Sequence, residues 1–163
     1  MKEGFHLRVI FLDIDGVLNN SASKSHCGVY VGIDNDKVKR LKRIVDATDA
    51  KIVLSSTWRL GFNKNGNMLE HHITYMNRKF RECDLSVFDV TPDLGRNGAF
   101  RGTEIKTWLD DHPDVESWIV IDDEEFPDFH KTRIIEHWIE TTYKGREGGL
   151  QEEHVSAAID MLR

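Results

Sequence analysis

The sequence predicts an α/β fold in which a mostly parallel sheet of about five strands carries helices on both faces. Short runs of β-branched and aromatic residues alternate with longer segments whose apolar residues recur every three or four positions. The apolar runs end abruptly at small polar or acidic residues, which is typical of strands buried on both faces. Because strands and helices alternate along the chain, parallel strand pairing is favoured.

The predicted strands are short and apolar at their centres. They comprise residues 7–12, 51–54, 85–90, 118–121 and 134–143. Between the first two strands, residues 19–32 are rich in Ser, Asn and Gly but contain a Val-Tyr-Val alternation. This segment is predicted to be irregular and to include a small hairpin.

Four amphipathic helices are predicted between and after these strands. Asp34 or Asn35 is suited to cap the first helix. The apolar stripes are Val38, Leu41, Ile44 and Val45 in the first helix, Leu69, Ile73, Met76, Phe80 and Cys83 in the second, Ile105, Trp108 and Leu109 in the third, and Val155, Ala158, Ile159 and Leu162 in the last. His71 and His72 diverge by ~100° on the second helix and are predicted to lie at the surface.

The composition is that of a single soluble domain spanning residues 1–163. Hydrophobic residues make up 39% of the chain and charged residues 31%, which disfavours a disordered or fibrous protein. The net charge of −6 disfavours a general electrostatic grip on nucleic acid, although a local basic groove remains open. No apolar run is long enough to span a bilayer. Cys27 and Cys83 are expected to pack as free thiols in the reducing cytoplasm.

Chemically reactive side chains follow three of the predicted strands. They are Asp13 and Asp15 after the first strand, Ser55, Ser56 and Thr57 after the second, and Asp122 and Asp123 after the fourth. In open α/β sheets, ligands bind outside the carboxyl ends of the strands. So many carboxylates at one edge would repel one another unless a cation lies among them. Mg²⁺ is expected there because it prefers oxygen ligands and bridges to phosphate.

This set of strand ends resembles that of the haloacid dehalogenase (HAD) superfamily of phosphohydrolases. The first motif of the family is an apolar strand followed by Asp-x-Asp-Gly, which residues 11–18 match closely. The second motif is a strand ending in Ser or Thr, as at Ser55, and the fourth is a strand ending in paired acids, as in residues 120–123. The resemblance covers nearly the whole chain in the right order and implies a three-layer, Rossmann-like HAD fold.

The third motif of the family is a lone basic residue near a helix start. Arg101 lies at the predicted start of the third helix, whereas Lys106 is of the usual type but follows a turn and a half later. The sequence leaves both open as the catalytic basic group that stabilises phosphoryl charge.

The resemblance also implies a mechanism. Asp13 is expected to attack phosphorus and to carry an aspartyl-phosphate, which divides one difficult displacement into two easier ones. Asp15 is expected to protonate the leaving oxygen and then to deprotonate the attacking water. Ser55, or Ser56 in its place, is expected to donate a hydrogen bond to the developing anionic charge.

A metal site and substrate contacts follow from the same resemblance. The expected Mg²⁺ ligands are Asp13, the main-chain carbonyl of Asp15, and Asp123, with Asp122 nearby. Ser56 and Arg59 are candidate substrate-binding residues, although Arg59 could equally pair with a neighbouring acid. Trp58 is expected to belong to the core rather than to form a substrate platform.

The spacing of the motifs leaves no room for a cap domain. Only 18 residues separate Asp15 from Asp34, and only 11 separate Asp89 from Arg101. An uncapped site is open, which by analogy suits a large phosphorylated substrate such as a nucleic-acid end or a phosphoprotein. Finer features resemble a compact subgroup of HAD domains from phages, bacteria and RNA-repair proteins. Specificity is expected to reside in residues 19–32, 61–67 and 91–100.

Two alternatives remain open from the sequence. One is a receiver-like phosphoacceptor, in which Asp89 would take the phosphoryl group and hold it. The other is a phosphate-binding module that keeps the fold without catalysis, although the intact Asp13 and Asp15 argue against it. Neither the substrate nor the oligomeric state can be predicted.

Overall fold

A central parallel sheet is the framework of the protein. The computed structural model describes residues 6–62, 70–95 and 99–163. In chain order the strands are β1 (Leu7–Leu12), β2 (His26–Cys27), β3 (Tyr30–Val31), β4 (Lys51–Leu54), β5 (Val87–Val90), β6 (Val115–Asp122) and β7 (Trp138–Glu140). The α-helices are α1 (Asn35–Thr48), α2 (Glu70–Arg81), α3 (Arg101–Asp110) and α4 (Glu152–Leu162). None of the helices in the described ranges has the length and hydrophobicity needed to span a membrane.

The sheet has five parallel strands in the order β5-β4-β1-β6-β7. The chain first builds outward from β1 through β4 to β5, and then crosses back to add β6 and β7 on the other side of β1. The direction of winding therefore reverses between β1 and β6. Loops that leave these two strands diverge at such a switch point and open a crevice at the carboxyl edge of the sheet.

Alternating residues of β1 face two separate cores. Ile10 and Leu12 are fully buried against apolar residues of α1, α2 and α4. Val9 and Phe11 are fully buried on the other face, with residues of α3 and of the segment that follows β6. Since consecutive side chains of a strand point to opposite faces, this pattern covers both faces of the sheet. The predicted α/β fold with helices on both faces is confirmed.

The predicted elements differ from the structure mainly at their ends. The third strand of the sheet begins at Val87 rather than Leu85, because the Leu85 amide donates to the Phe80 carbonyl (2.8 Å) and so belongs to the end of α2. The last predicted strand shortens to β7, since Ile134–His137 forms a 3₁₀ turn. This turn follows Arg133, whose φ of +62° takes the chain out of an extended path.

The predictions for α2 and for the segment after β1 are mostly confirmed, with one exception at His72. The stripe of α2 is confirmed from Ile73 to Phe80, while Leu69 lies outside the described residues, as do residues 63–67 and 96–98 of the expected specificity loops. His72 is buried, contrary to the prediction that it lies at the surface. Between β1 and α1 the described chain forms only the β2–β3 hairpin, so no cap domain follows the first strand.

Candidate active site

The carboxyl edge of the sheet brings together the residues that follow β1, β4 and β6. Leu12 pairs in register with Leu54 on one side and with Ile121 on the other. The Ser55 amide donates to the Leu12 carbonyl, and the Asp13 amide donates to the Ile121 carbonyl, each at 3.0 Å. The strand ends therefore lie at the same level on both sides of the switch point.

Three carboxylates converge at this edge. Asp13, Asp122 and Asp123 each offer an oxygen, and these oxygens lie within 4.8 Å of one another. Asp122 is fully buried, Asp13 is nearly so, and Asp123 is half-buried. Burial raises the pKa of Asp13 well above its usual range, and the negative charge of Asp122 adds to the rise. Burial likewise raises the pKa of Asp122. A cation among these oxygens would compensate the repulsion that opposes their ionisation.

Arg101 is the positive charge at the cluster. Its Nη1 lies 3.0 Å from an Asp122 oxygen and 3.7 Å from an Asp13 oxygen. Its guanidinium also lies 4.4 Å from the centre of the Phe126 ring. The Nε of Arg101 is buried without a hydrogen-bond partner among the described residues. Arg101 therefore neutralises part of the acidic charge and retains unused donor capacity.

Asp128 holds the helix end that carries Arg101. Its carboxylate accepts hydrogen bonds from the amides of Gly102 (2.9 Å) and Thr103 (2.7 Å) and from the Thr103 hydroxyl (2.8 Å). The residue before α3, Phe100, makes no side-chain cap. Asp128 thus caps α3 from the segment after β6, where a negative charge also favours the positive end of the helix dipole.

The turn after β1 depends on Gly16. Its φ is +84°, and a Cβ at this position would overlap the carboxyl group of Asp123. The Thr141 hydroxyl donates to the Gly16 carbonyl at 2.6 Å. A larger residue would therefore be strained in its backbone and would displace an acid of the cluster.

The Asp15 carboxylate is exposed but firmly oriented. One oxygen accepts a hydrogen bond from the indole Nε1 of Trp58 (3.0 Å), and the other accepts one from the side-chain amide of Asn19 (2.9 Å). Asn19 is fully buried, and it also bonds the Gly16 amide and the Gly32 carbonyl. Asp13 and Asp15 therefore occupy contrasting surroundings, one buried among charges and one exposed between two neutral donors.

The two candidate serines differ in what their hydroxyl groups contact. Ser55 Oγ is buried with no hydrogen-bond partner among the residues that the structure describes. Ser56 Oγ accepts a hydrogen bond from the Trp58 amide (3.2 Å). This bond lies at the start of the 3₁₀ helix Thr57–Phe62. Buried polar atoms rarely lack a partner, so the Ser55 hydroxyl is suited to donate to a ligand.

Two basic candidates point to other partners. Arg59 is buried and donates to Glu104 (2.7 Å) and to the carbonyls of Ser56 and Thr91. Of the two readings that the sequence left open for Arg59, the structure shows the pairing with an acid. Lys106 binds Asp110 at 2.7 Å on the exposed side of α3 and lines a separate cavity. Arg101 rather than Lys106 therefore accompanies the carboxylates.

Sequence reasoning did not find Asn19, Asp128 or the role of Trp58. Trp58 is buried in the core as expected, yet its indole edge also reaches Asp15. Asp128 lies 25 and 26 residues from the amides that it caps. No local pattern signals such long-range contacts, although Asn19 lies only three and four residues after Gly16 and Asp15 and could have been noticed as a turn residue.

This fold and its switch-point acids define an α/β protein of the HAD type. Residues 9–155 match the family of HAD domains in Swiss Army Knife RNA repair proteins. The chain belongs to this family, which confirms the resemblance to compact HAD domains associated with RNA repair. Neither the curated proteins nor the solved structures yielded a match. HAD proteins are generally hydrolases that act on phosphorylated substrates, and the three acids at this edge have oxygens close enough together to share a metal ion.

Replacing the remote cap of α3 tests how this helix end is held. We expect Asp128→Ala to lower the free energy of unfolding by about 1–3 kcal/mol, because two amides at the start of α3 lose their acceptor. Urea denaturation measures the change. Asp110→Ala at the exposed other end of α3 is the matched control and should have little effect. Equal losses in both variants would contradict the capping role.

Proposed function

We propose that this protein is a Mg²⁺-dependent phosphomonoester hydrolase that acts through an aspartyl-phosphate on Asp13. The observation that carries the proposal is the convergence of Asp13, Asp122 and Asp123 beside Arg101. Ser55, which follows the neighbouring strand β4, adds a buried hydroxyl without a partner among the described residues. Carboxylates, a guanidinium and a free hydroxyl are together the groups that a phosphoryl transfer requires.

In the first step, a carboxylate oxygen of Asp13 attacks phosphorus. The bond between phosphorus and the ester oxygen breaks as the new bond forms, and the departing oxygen takes a proton from Asp15. The contrast between the two acids supports this division of roles. Asp13 lies within the charged cluster, while Asp15 is exposed, where it can reach both the leaving group and water.

In the second step, a water oxygen attacks the phosphorus of the aspartyl-phosphate. Asp15, now ionised, takes the proton of this water as the bond between Asp13 and phosphorus breaks. Inorganic phosphate leaves, and the Asp13 carboxylate and the Asp15 proton are both restored. Trp58 and Asn19 are proposed to hold the Asp15 carboxylate in one orientation throughout, since each donates to a different oxygen of it.

The residues at this edge fit a magnesium ion. Asp13, Asp123 and the main-chain carbonyl of Asp15 would hold it, with Asp122 beside them. When bound, Mg²⁺ supplies positive charge to the phosphoryl oxygens and to the carboxylates. Burial is the main cause of the raised pKa values of Asp13 and Asp122, and a bound cation would favour the ionised form of both carboxylates.

Ser55 and Arg101 are proposed to bind the phosphoryl oxygens. The Ser55 hydroxyl is a buried donor without a partner, and Arg101 has an unused Nε. Donors that are fixed before the reaction stabilise developing charge without reorganisation. Ser56 and Arg59 contribute less directly in this account, because Arg59 is occupied by Glu104 and Ser56 by the turn after β4.

A terminal phosphate of RNA is the substrate that we favour. Family membership supports it, and the absence of a cap after β1 leaves access for a macromolecule. A phosphoprotein is the other large substrate that this open edge could admit. We further propose that residues 1–163 form one catalytic domain that works in the cytoplasm, where Cys27 and Cys83 remain free thiols as they are in the structure.

The receiver-like alternative is less well supported. It requires Asp89 as phosphoacceptor, but Asp89 lies on the edge strand β5, where its carboxylate accepts a hydrogen bond from the Trp108 indole (2.9 Å). Strand β4 separates β5 from the acids that follow β1.

Removal of the nucleophile tests the proposal directly. We expect Asp13→Asn to abolish hydrolysis of a generic aryl phosphate in Mg²⁺, because an amide cannot form the phosphoenzyme. Phosphate release measures activity, and circular dichroism confirms that the variant folds. Asp46→Asn, which alters an exposed acid of α1, is the matched control and should retain activity. Full activity of Asp13→Asn would contradict the mechanism.

The choice between the two basic candidates is tested by a matched pair of variants. We expect Arg101→Ala to lower kcat about 100- to 1,000-fold, as loss of a donor to developing charge does. Lys106→Ala on the exposed side of the same helix should remain close to wild type in steady-state kinetics. The reverse result would assign the phosphate contact to Lys106.

Metal binding is tested by thermal unfolding of the protein with and without Mg²⁺. At a hundredfold excess over Kd, Mg²⁺ should stabilise the wild type by about 2.7 kcal/mol, or roughly 5–10 °C in Tm. Asp13→Asn should raise the Tm of the metal-free protein, because it removes a buried carboxylate from the cluster, and should reduce the gain from Mg²⁺. An equal gain in Asp13→Asn, or no gain in the wild type, would contradict a magnesium site at this edge.

A further inference from the structure

A second cavity lies between the β2–β3 hairpin and α2. Its volume is about 550 Å³, and we call it the hairpin pocket. The lining residues that matter here are Cys27, Val29 and Tyr30 of the hairpin and His72, Tyr75 and Arg78 of α2. Its size falls within the range of pockets that bind small molecules.

The hairpin pocket combines aromatic rings with positive charge. The ring of Tyr30 lies 5.2 Å from that of His72, and the Arg78 guanidinium lies 5.4 Å from the centre of the Tyr75 ring. Tyr30 is half-exposed, at 51%, so one large ring at the hairpin remains available for stacking. Among the described residues, no carboxylate lines the cavity. This lining favours a planar ligand that carries negative charge.

His72 supplies an independent sign of a ligand. The residue is 7% exposed, and its Nδ1 is buried with no hydrogen-bond partner in the described parts of the chain. Most buried polar atoms have a partner, so this nitrogen is left for a group that enters the cavity. A metal ion does not explain this free nitrogen. Among the described residues, the acidic cluster is the only group of side chains arranged to hold a metal ion, and it does not include the histidines of the pocket.

One indole ring connects the hairpin pocket to the acidic edge. Trp58 donates to Asp15 through Nε1 (3.0 Å). The centre of the same indole ring lies 4.6 Å from the centre of the His72 ring, and the two rings are nearly perpendicular, at 87°. The pocket and the proposed general acid are thus on two sides of one side chain. Because Asp15 lies two positions after Asp13, Trp58 links the pocket to the carboxylates of the acidic edge.

We propose that the hairpin pocket binds the nucleobase at the phosphorylated end of an RNA substrate. This inference rests on the proposed function and specifies how the substrate is recognised. The base stacks against Tyr30 and forms a hydrogen bond with His72 Nδ1, while Arg78 contacts a backbone phosphate. Stacking on aromatic side chains tolerates every base, so the pocket selects nucleic acid over other phosphoesters without requiring a sequence.

The stacking contact is tested by binding rather than by turnover. The probe is a fluorescent oligoribonucleotide with a terminal phosphate, prepared with the phosphate at either end and titrated against the Asp13→Asn protein in Mg²⁺. Adding Tyr30→Ala should weaken Kd roughly 5- to 150-fold, as loss of one base–aromatic stack does. Phe88→Ala removes an equally exposed ring, at 52%, from β5 and should leave Kd unchanged. Equal Kd values for the Tyr30→Ala and parent proteins would overturn the proposal.

The charge contact has its own matched pair on α2. Arg78→Ala should weaken oligonucleotide binding and reduce the slope of log Kd against log salt by about 0.7, the value for one lost phosphate contact to a single strand. Arg81→Ala, three residues along the helix and lining another cavity, should keep the parent slope. An unchanged slope in Arg78→Ala would contradict the assigned contact.

Two further measurements separate this inference from the proposed function. A phosphopeptide whose binding falls as much as that of RNA in Tyr30→Ala would overturn nucleobase recognition. Phosphate release by the wild type is measured with the aryl phosphate, which does not need the pocket, and with the phosphorylated oligoribonucleotide. Absence of release from both substrates, together with Tyr30-dependent RNA binding, would refute the phosphatase, whereas release without Tyr30-dependent binding would refute only the pocket.

Discussion

The contact of Arg101 with Asp122 and Asp13 is the interaction on which the rest of this site depends. It brings one guanidinium to two carboxylates that are almost completely buried, at 3.0 and 3.7 Å. Removing Arg101 would leave two buried carboxylates without their positive partner, which is strongly destabilising. Asp128 caps the helix that presents Arg101, and it comes from the segment just after β6, the strand that ends in Asp122. The end of β6 and the segment after it therefore supply both the acid that pairs with Arg101 and the cap that holds its helix.

This arrangement also explains how two aspartates only two residues apart can have different roles. Asp13 lies in the cluster, whereas Asp15 lies outside it, between Trp58 and Asn19. Groups of one chemical type take different roles in an active site when their environments differ. Trp58 adds a third connection, because its ring joins Asp15 to the hairpin pocket. In the proposed enzyme, recognition of a base and transfer of a proton meet at this one indole.

Much of the architecture could be predicted because it is written in local patterns. The apolar centres of β1, β4 and β6 and the stripes of the helices follow from burial on one or two faces, and the strand ends follow from the topology of a parallel sheet. Contacts between distant residues could not be predicted in this way. Examples are the bond from Trp58 to Asp15, 43 residues apart, and the choice of Arg101 over Lys106, which depends on which side of α3 faces the sheet. The burial of His72 could not be predicted for the same reason, since the ring that packs against it belongs to Trp58 on another element.

The central claim is that Asp13 becomes phosphorylated during turnover, and rapid acid quenching tests it most directly. The protein is mixed with a radiolabelled phosphomonoester and Mg²⁺, quenched within one turnover, and digested for mass spectrometry. The account predicts an acid-stable label that hydroxylamine releases and that maps to Asp13. Turnover with no labelled protein, or a label on Asp89, would contradict the account.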